Sequence, residues 1–210
     1  MYMRRSVSAL KLSTPGTMRF AILCLLTSAT LAPLSRAQAP VFAITPQTST
    51  IKFSVSSSIS IAGTFDKWDA TLTFTSPDVT TGVLDIKIDA ASVDTGSGMK
   101  NDALKGSDFF NVQSDPYITF RSSKIVQTGP NTFDVPGTFT IRGVSKPETL
   151  TLTVSGEGTG SGEIRGAMAF DRKDYGMNSG IPFIRIANRV EVDVDLHAKR
   201  VGGPPLAFKK

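Results

Sequence analysis

Four aspartates that lie near one another in the chain are the first residues whose type could support catalysis. They are Asp89, Asp94, Asp102 and Asp108. Two carboxyl groups at a suitable separation can hydrolyse a glycosidic bond, one as the acid and the other as the base or nucleophile. Aspartate is also an ordinary turn and helix-cap residue, and all four stand where predicted strands or a short helix end. A carboxylate-based hydrolase is therefore kept only as an alternative hypothesis.

Nucleophilic and metal chemistry is restricted by the presence of one cysteine and one histidine. Cys24 lies in the N-terminal segment and His197 near the other end. A thiol–imidazole pair or a Cys/His zinc site would need both, so removal of the N-terminal segment excludes these sites. His197 continues a series of Glu191, Asp193 and Asp195 that alternates with valines, so we interpret all four as outward-facing. The sequence has no Gly-x-Ser-x-Gly elbow, and we predict no catalytic residue, no metal site and no cofactor.

The glycine-rich run GEGTGSG at residues 156–162 is the remaining motif with possible chemistry. It lacks the Gly-Lys-Ser/Thr ending of a phosphate-binding loop. A strand pattern, and not a helix pattern, resumes at Ile164. We therefore interpret the run as a flexible hairpin loop.

The charge balance gives no support for a nucleic-acid partner. The 210 residues include 23 basic and 18 acidic side chains. Five of the basic residues and none of the acidic residues lie in residues 1–37, which leaves 18 basic residues against the 18 acidic ones in the remainder. A neutral remainder does not provide the basic surface that DNA or RNA binding requires.

The first 37 residues have the pattern of an export signal. A basic region ends at Arg19, an apolar stretch covers residues 20–34, and Ser35 and Ala37 supply small residues before a cleavage point. The apolar stretch is shorter than the roughly 20 residues that span a bilayer. We predict cleavage after Ala37 and a periplasmic or secreted protein. An uncleaved anchor is the alternative, and Met18 is a second possible start.

Alternation of apolar and polar residues dominates residues 38–200. Strands of this kind have one apolar and one polar face, which is typical of antiparallel sheets. We predict strands at 51–55, 72–74, 84–88, 118–123, 133–135, 139–142, 150–154, 164–170 and 190–196, and one short helix at 101–106. Eight or so strands must close into one barrel or split into two packed sheets. Residues 201–210 are predicted to be a flexible C-terminal tail.

Apolar residues on the inward faces of these strands are the main candidates for a binding site. An eight-stranded barrel is just wide enough to be filled by side chains or to hold a small ligand. Gly166 lies on an inward face and would leave room there, while Phe109 and Phe110 follow the short helix and could line one end. The predicted apolar lining consists of Phe53, Phe74, Ile86, Phe109, Phe110, Phe120, Phe139, Leu152, Met168, Phe170 and Val192.

The order and spacing of several short segments resemble the YceI-like family of exported bacterial lipid-binding proteins. The segments are ITPQTSTIKFS at 44–54, DAASVDTG at 89–96, ALKGSDFFNV at 103–112, PYITF at 116–120, GTFTIRGVSKP at 137–147 and DRKDYGM at 171–177. The resemblance covers about residues 43–197. Many members carry a histidine where this chain has Ala103, and an aspartate where it has Asn101.

The resemblance implies an all-β fold, a single antiparallel eight-stranded lipocalin-like barrel with one short helix. It also implies binding of polyisoprenoid chains, quinones or fatty-acid-like amphiphiles without catalysis. Lys100, Asn101 and Lys105 on the short helix are the predicted polar residues at the mouth. The favoured hypothesis is an exported lipid carrier, and the second is a filled barrel that acts as a structural or interaction module. A homodimer is possible.

Overall fold

The computed structural model describes residues 38–58, 61–156, 159–179 and 185–208. The export signal and its cleavage point lie outside these residues and stay predictions. The described strands are β1 (Val41–Ile44), β2 (Thr50–Ser57), β3 (Ile61–Phe65), β4 (Trp68–Thr73), β5 (Val83–Asp89), β6 (Val93–Asp94), β7 (Tyr117–Ser122), β8 (Val126–Gln127), β9 (Thr132–Ile141), β10 (Val144–Ser155), β11 (Ser161–Asp171) and β12 (Ile186–Gly202). The helix α1 covers Gly98–Lys105, and single 3-10 turns lie at Pro46–Thr48, Val79–Thr81, Ala90–Ser92 and Arg172–Tyr175.

The strands close into one antiparallel barrel. β12 pairs with β2 through its N-terminal part and with β1 through its C-terminal part, so β1 and β2 act as one interrupted strand. β3 and β4 form a second interrupted strand, and β5 and β6 a third. With β7, β9, β10, β11 and β12 these make eight, and the pairing of β1 with β4 closes the circle. This confirms the predicted eight-stranded barrel and excludes two separate sheets.

The inward and outward faces follow the alternation of the sequence. Along β9, for example, Phe133, Val135, Phe139 and Ile141 are buried while their neighbours are more exposed. The sequence predicted two strands here, since Pro136 and Gly137 separate the two apolar pairs. The structure has one continuous strand, because Pro136 needs no partner for an N–H and its carbonyl oxygen accepts the backbone N–H of Ser123 at 2.9 Å.

α1 begins earlier than predicted, at Gly98 instead of 101. Asn101 fixes its start, because its Oδ1 accepts hydrogen bonds from the backbone N–H of Thr95 at 2.9 Å and from Thr95 Oγ1 at 2.7 Å. The helix ends at Lys105, with Gly106 as the capping residue, and the backbone N–H of Phe110 donates to the carbonyl oxygen of Leu104 at 2.9 Å. The chain thereby turns Phe109 and Phe110 into the barrel.

The glycine-rich run is a hairpin connection between β10 and β11, as predicted. Gly156 and Gly160 both have left-handed backbones, with φ of 79° and 82°. This conformation suits glycine and explains the composition of the turn.

The C-terminal segment, predicted to be flexible, contacts the barrel as far as residue 208. β12 runs on to Gly202, and Ala207 pairs with the loop before the second 3-10 turn, donating to the carbonyl oxygen of Pro77 at 2.8 Å. The ring of Phe208 packs against Phe133 with centroids 6.0 Å apart. Apolar residues beyond the Gly-Gly-Pro-Pro turn therefore cover one end of the barrel.

Candidate functional site

A cavity of about 360 Å³ lies at the α1 end of the barrel interior. Six of the predicted apolar residues line it, as does one predicted mouth residue: Phe53, Phe109, Phe110, Phe139, Phe170, Val192 and Lys100. Residues that the sequence did not single out also line it, among them Ile51, Phe65, Ile88, Met99, Leu104, Ile118, Ile141, Arg172, Met177 and Val190. The interior at this end is therefore not filled by the protein's own side chains.

Aromatic rings form much of the cavity wall. Phe53, Phe65 and Phe110 make a cluster with centroids 5.5 to 6.2 Å apart. Phe139 and Phe170 form a second pair at 5.0 Å. Tilted and edge-on ring pairs at these separations are favourable, so the wall is held by contacts between its own members. The wall therefore has a fixed shape before an apolar chain binds to it.

Three predicted lining residues lie deeper in the barrel and line neither this cavity nor the smaller one at the opposite end. Ile86, Phe120 and Met168 are buried, and we call these three residues the central belt. A Cβ built on Gly137 would stand 2.7 Å from Cζ of Phe120, so the absence of a side chain there makes room for this ring. The belt separates the two ends of the barrel.

Gly166 does not leave the open space that the sequence predicted. A Cβ added there would stand 2.7 Å from Leu152 Cδ2 and 2.9 Å from Val194 Cγ2. The neighbouring side chains have closed over the glycine, because packed interiors leave few voids of this size. The expectation of room at Gly166 was wrong.

A second cavity, of about 90 Å³, lies at the opposite end of the barrel. Phe74 and Leu152, which were predicted to line the binding site, line this cavity and not the larger one. Leu206 and Phe208 of the C-terminal segment also line it. Its small size makes the α1 end the better candidate for a binding site.

The three predicted mouth residues have different positions. Lys100 lines the large cavity, whereas Asn101 and Lys105 do not. The side chain of Asn101 is bound to Thr95 and also donates to the carboxylate of Asp94 at 3.2 Å. The backbone N–H of Gly96 and this amide lower the pKa of Asp94, with a smaller effect of the positive charge of Lys105. Asn101 therefore orders the start of the helix that covers the cavity.

Arg172 is the charged residue of the cavity lining that the sequence analysis missed. It follows Phe170 by two positions, and the alternation of buried and exposed residues along β11 continues one step past the strand, into the 3-10 turn that begins at Arg172. Continuing the even-numbered inward series Ile164, Met168, Phe170 by one step would have found it. A charged side chain at an inward position is uncommon, since burial of an unpaired charge is costly.

The four aspartates considered for catalysis do not line either described cavity, and three of them, Asp89, Asp94 and Asp108, have structural partners. Asp89 accepts the backbone N–H of Ala91 at 3.0 Å and caps a 3-10 turn. Asp108 accepts a hydrogen bond from Ser179 Oγ at 2.9 Å. With Asp94 bound to Gly96 and Asn101, these carboxylates hold loops in place.

Among the described residues, one group has atoms that could share a metal ion, and it joins Glu163 on β11 to Asp195 and His197 on β12. One ligand atom each of Glu163, Asp195 and His197 lies within 4.8 Å of the others. Arg165 already places its guanidinium 2.7 Å from Glu163 and 4.0 Å from Asp195. The charge of Arg165 therefore already offsets part of the negative charge of these carboxylates.

Within the described part of the chain, no helix has the length and apolar character needed to cross a membrane.

The chain has relatives among known proteins. A UPF0312 protein of Azotobacter vinelandii is 31% identical over 96 residues, which are 46% of this chain and 50% of that protein. The chain thus matches about half the length of such curated relatives.

Two solved structures share the barrel. BcnA of Burkholderia cenocepacia superposes with a TM-score of 0.67 at 26% identity, over 74% of this chain and 99% of that one. A polyisoprenoid binding domain from Saccharophagus degradans superposes with a TM-score of 0.59 over 77% of this chain and 99% of that one. Its 16% identity makes it a likeness of fold. The family model of the YceI-like domain matches residues 42–198, and the chain belongs to this family.

Proposed function

We propose that this chain is an exported protein that holds the apolar chain of an amphiphile in the 360 Å³ cavity and acts without catalysis. The cavity itself is the observation that carries the proposal. It is walled almost wholly by aromatic and aliphatic side chains, and its volume lies in the range of small-molecule sites. The description of one fold relative as a polyisoprenoid binding domain supports the same ligand class.

The size of the cavity limits the part of the ligand that is enclosed. At about 30 Å³ for each water-sized group, 360 Å³ accommodates about twelve methylene or methyl groups. Burial of each methylene contributes about 0.8 kcal/mol, so such a chain contributes on the order of 10 kcal/mol before the costs of association. That supports a micromolar-class affinity. The rest of a longer chain would project from the mouth.

The export signal predicted in residues 1–37 supports a periplasmic or secreted location. In such a compartment a carrier would keep an apolar chain out of water between membranes or enzymes. The predicted cleavage after Ala37 is tested by N-terminal sequencing of the protein recovered from the cell envelope. Recovery of an intact N-terminus in the cytoplasm would contradict this part of the proposal.

The binding proposal is tested by native mass spectrometry of protein purified without detergent. We expect an added mass that disappears on denaturation, and organic extraction should release an apolar molecule. Refilling the emptied protein with dodecanol, followed by calorimetry, should give saturable binding with a negative heat-capacity change. A protein that is always empty and does not take up dodecanol would contradict the proposal.

A further inference from the structure

A buried cation forms part of the wall of the large cavity. Arg172 is 6% exposed and lines the cavity beside Phe170 and Met177. Among the residues that the structure describes, no carboxylate forms an ion pair with its guanidinium. Other polar side chains in the lining are Ser97 and Lys100. The positive charge of Arg172 is thus held against an apolar space without a negative partner.

Backbone carbonyl groups use only part of its hydrogen-bonding capacity. Nε donates to the carbonyl oxygen of Ala187 at 3.1 Å. Nη1 donates to the carbonyl oxygens of Met177 and of Ser179, the latter at 2.9 Å. Nη2 donates to no group in the described part of the chain. A guanidinium has five N–H donors, so two N–H groups of Nη2 remain for a partner.

The energetics favour an anionic partner. A buried charge is costly unless it is paired and hydrogen-bonded, and carbonyl oxygens supply partial charges only. A carboxylate or phosphate can supply both the opposite charge and oxygen acceptors in the plane of the guanidinium. A neutral alcohol would supply only an oxygen.

We propose that Arg172 binds the acidic head group, a carboxylate or a phosphate, of the amphiphile whose chain occupies the cavity. The inference rests on the proposed function and adds the chemical class of the polar end. The carbonyl contacts fix the guanidinium before the ligand arrives, so little side-chain entropy is lost on binding.

The test compares ligands that share a chain and differ in the head group. Dodecanoate and dodecyl phosphate are titrated into the emptied wild-type protein at neutral pH, beside dodecanol and methyl dodecanoate. A hydrogen bond to a charged group predicts about tenfold or greater preference for the two acids. Inorganic phosphate alone should not bind at millimolar concentration, since it lacks the chain. Equal affinity for acid and alcohol, or tight binding of inorganic phosphate, would overturn the inference.

Variants assign the preference to one side chain. Arg172→Met should reduce the ratio of acid to alcohol affinity to about one and leave dodecanol binding in place. The matched control is Arg142→Met, because Arg142 also donates to carbonyl oxygens, those of Ser107 and Gly176, but does not line the cavity. This variant should keep the preference. Loss of the preference in Lys100→Met, with Arg172→Met unaffected, would assign the head group to Lys100 and overturn the inference.

The outcomes separate this inference from the proposed function. If dodecanol binds and the acids gain nothing, only the role of Arg172 fails. If none of the four ligands binds, the proposed function fails. If Arg172→Met does not fold, the comparison of ligands on the wild-type protein and on Lys100→Met still decides between the two cations.

Discussion

Tyr175 is completely buried, and its hydroxyl group donates to the carboxylate of Glu148 at 2.9 Å. Its ring packs on Phe139 and Phe170, which line the large cavity. Burial is the main cause that raises the pKa of Tyr175, and the hydrogen bond and negative charge of Glu148 raise it further. One polar contact therefore supports the aromatic wall from behind.

This contact predicts a loss of stability in alkaline solution. Because the folded state holds the phenol neutral, its stabilisation is present below the ordinary tyrosine pKa of about 10 and is lost as the pH rises above it. Tyr175→Phe should cost about 1.5–3 kcal/mol at neutral pH and flatten the decline between about pH 10 and 11.5. Urea unfolding at several pH values measures both effects. Tyr117→Phe is the control, since Tyr117 is exposed; an equal flattening there would contradict the prediction.

Phe120 and Phe139 are paired on adjacent strands but have different surroundings. Phe120 belongs to the packed belt, whereas Phe139 faces the large cavity. Phe120→Ala should cost about 3–5 kcal/mol, the usual value for a filled core. Phe139→Ala should cost less and weaken dodecanol binding, because part of its surface already faces empty space. Chemical unfolding and calorimetry on both variants check this; equal destabilisation without an effect on binding would favour the filled-barrel alternative.

At the scale of elements, α1 forms a wall of the cavity although its own sequence is only weakly apolar. Its start is tied to Thr95 and Asp94 by the side chain of Asn101. The amide of Asn101 therefore performs a structural task. The position of the helix, and with it the mouth, therefore depends on one polar cluster.

Asn101→Ala should release this cluster. Because the amide donates to the carboxylate, its loss should raise the pKa of Asp94 toward the ordinary value for an aspartate. Lys105→Met is the matched comparison and should shift the pKa less, since Lys105 acts only through its charge. NMR titration of the Asp94 carboxyl group measures both. An unchanged Asp94 pKa in Asn101→Ala would show that the amide contact is not formed in solution.

The sequence predicted the barrel because its strands alternate clearly, and half-buried antiparallel strands produce that pattern. It predicted two strands around Pro136, because proline is rare inside sheets; the carbonyl of Pro136 and its missing donor let β9 continue. It missed Arg172 because the predicted strand ended at Phe170, two residues before this inward position. It also could not divide the inward residues between belt and cavity, since alternation gives the face of a residue and not the empty space beside it.

At the scale of the molecule, the interior of the barrel is divided. The belt of Ile86, Phe120 and Met168 lies between the 360 Å³ cavity under α1 and the 90 Å³ cavity under the C-terminal segment. An enclosed chain therefore meets a packed floor part-way through the barrel. The belt sets the length of chain that can be buried, while the mouth sets what can enter.

Shortening one belt residue should extend the accessible cavity. Met168 is the best choice, because a methionine side chain adapts to gaps and leaves a void when it is cut back. Met168→Ala should lose about 2–5 kcal/mol of stability. It should also bind hexadecanol more tightly relative to dodecanol, because each additional methylene that becomes buried contributes about 0.8 kcal/mol. In the wild-type protein these extra methylenes remain in solvent, so the two alcohols should bind with similar affinity.

Calorimetry with the two alcohols on wild type, Met168→Ala and Met168→Leu decides the point. Met168→Leu nearly conserves the side-chain volume and should keep the wild-type ratio of affinities. An unchanged ratio in Met168→Ala would mean that Phe120 and its neighbours collapse into the vacated space. Leu152 and Val194 close over Gly166 in the same way. In that case the floor would be fixed by the whole belt. Tighter binding of hexadecanol would show instead that one side chain limits the chain length.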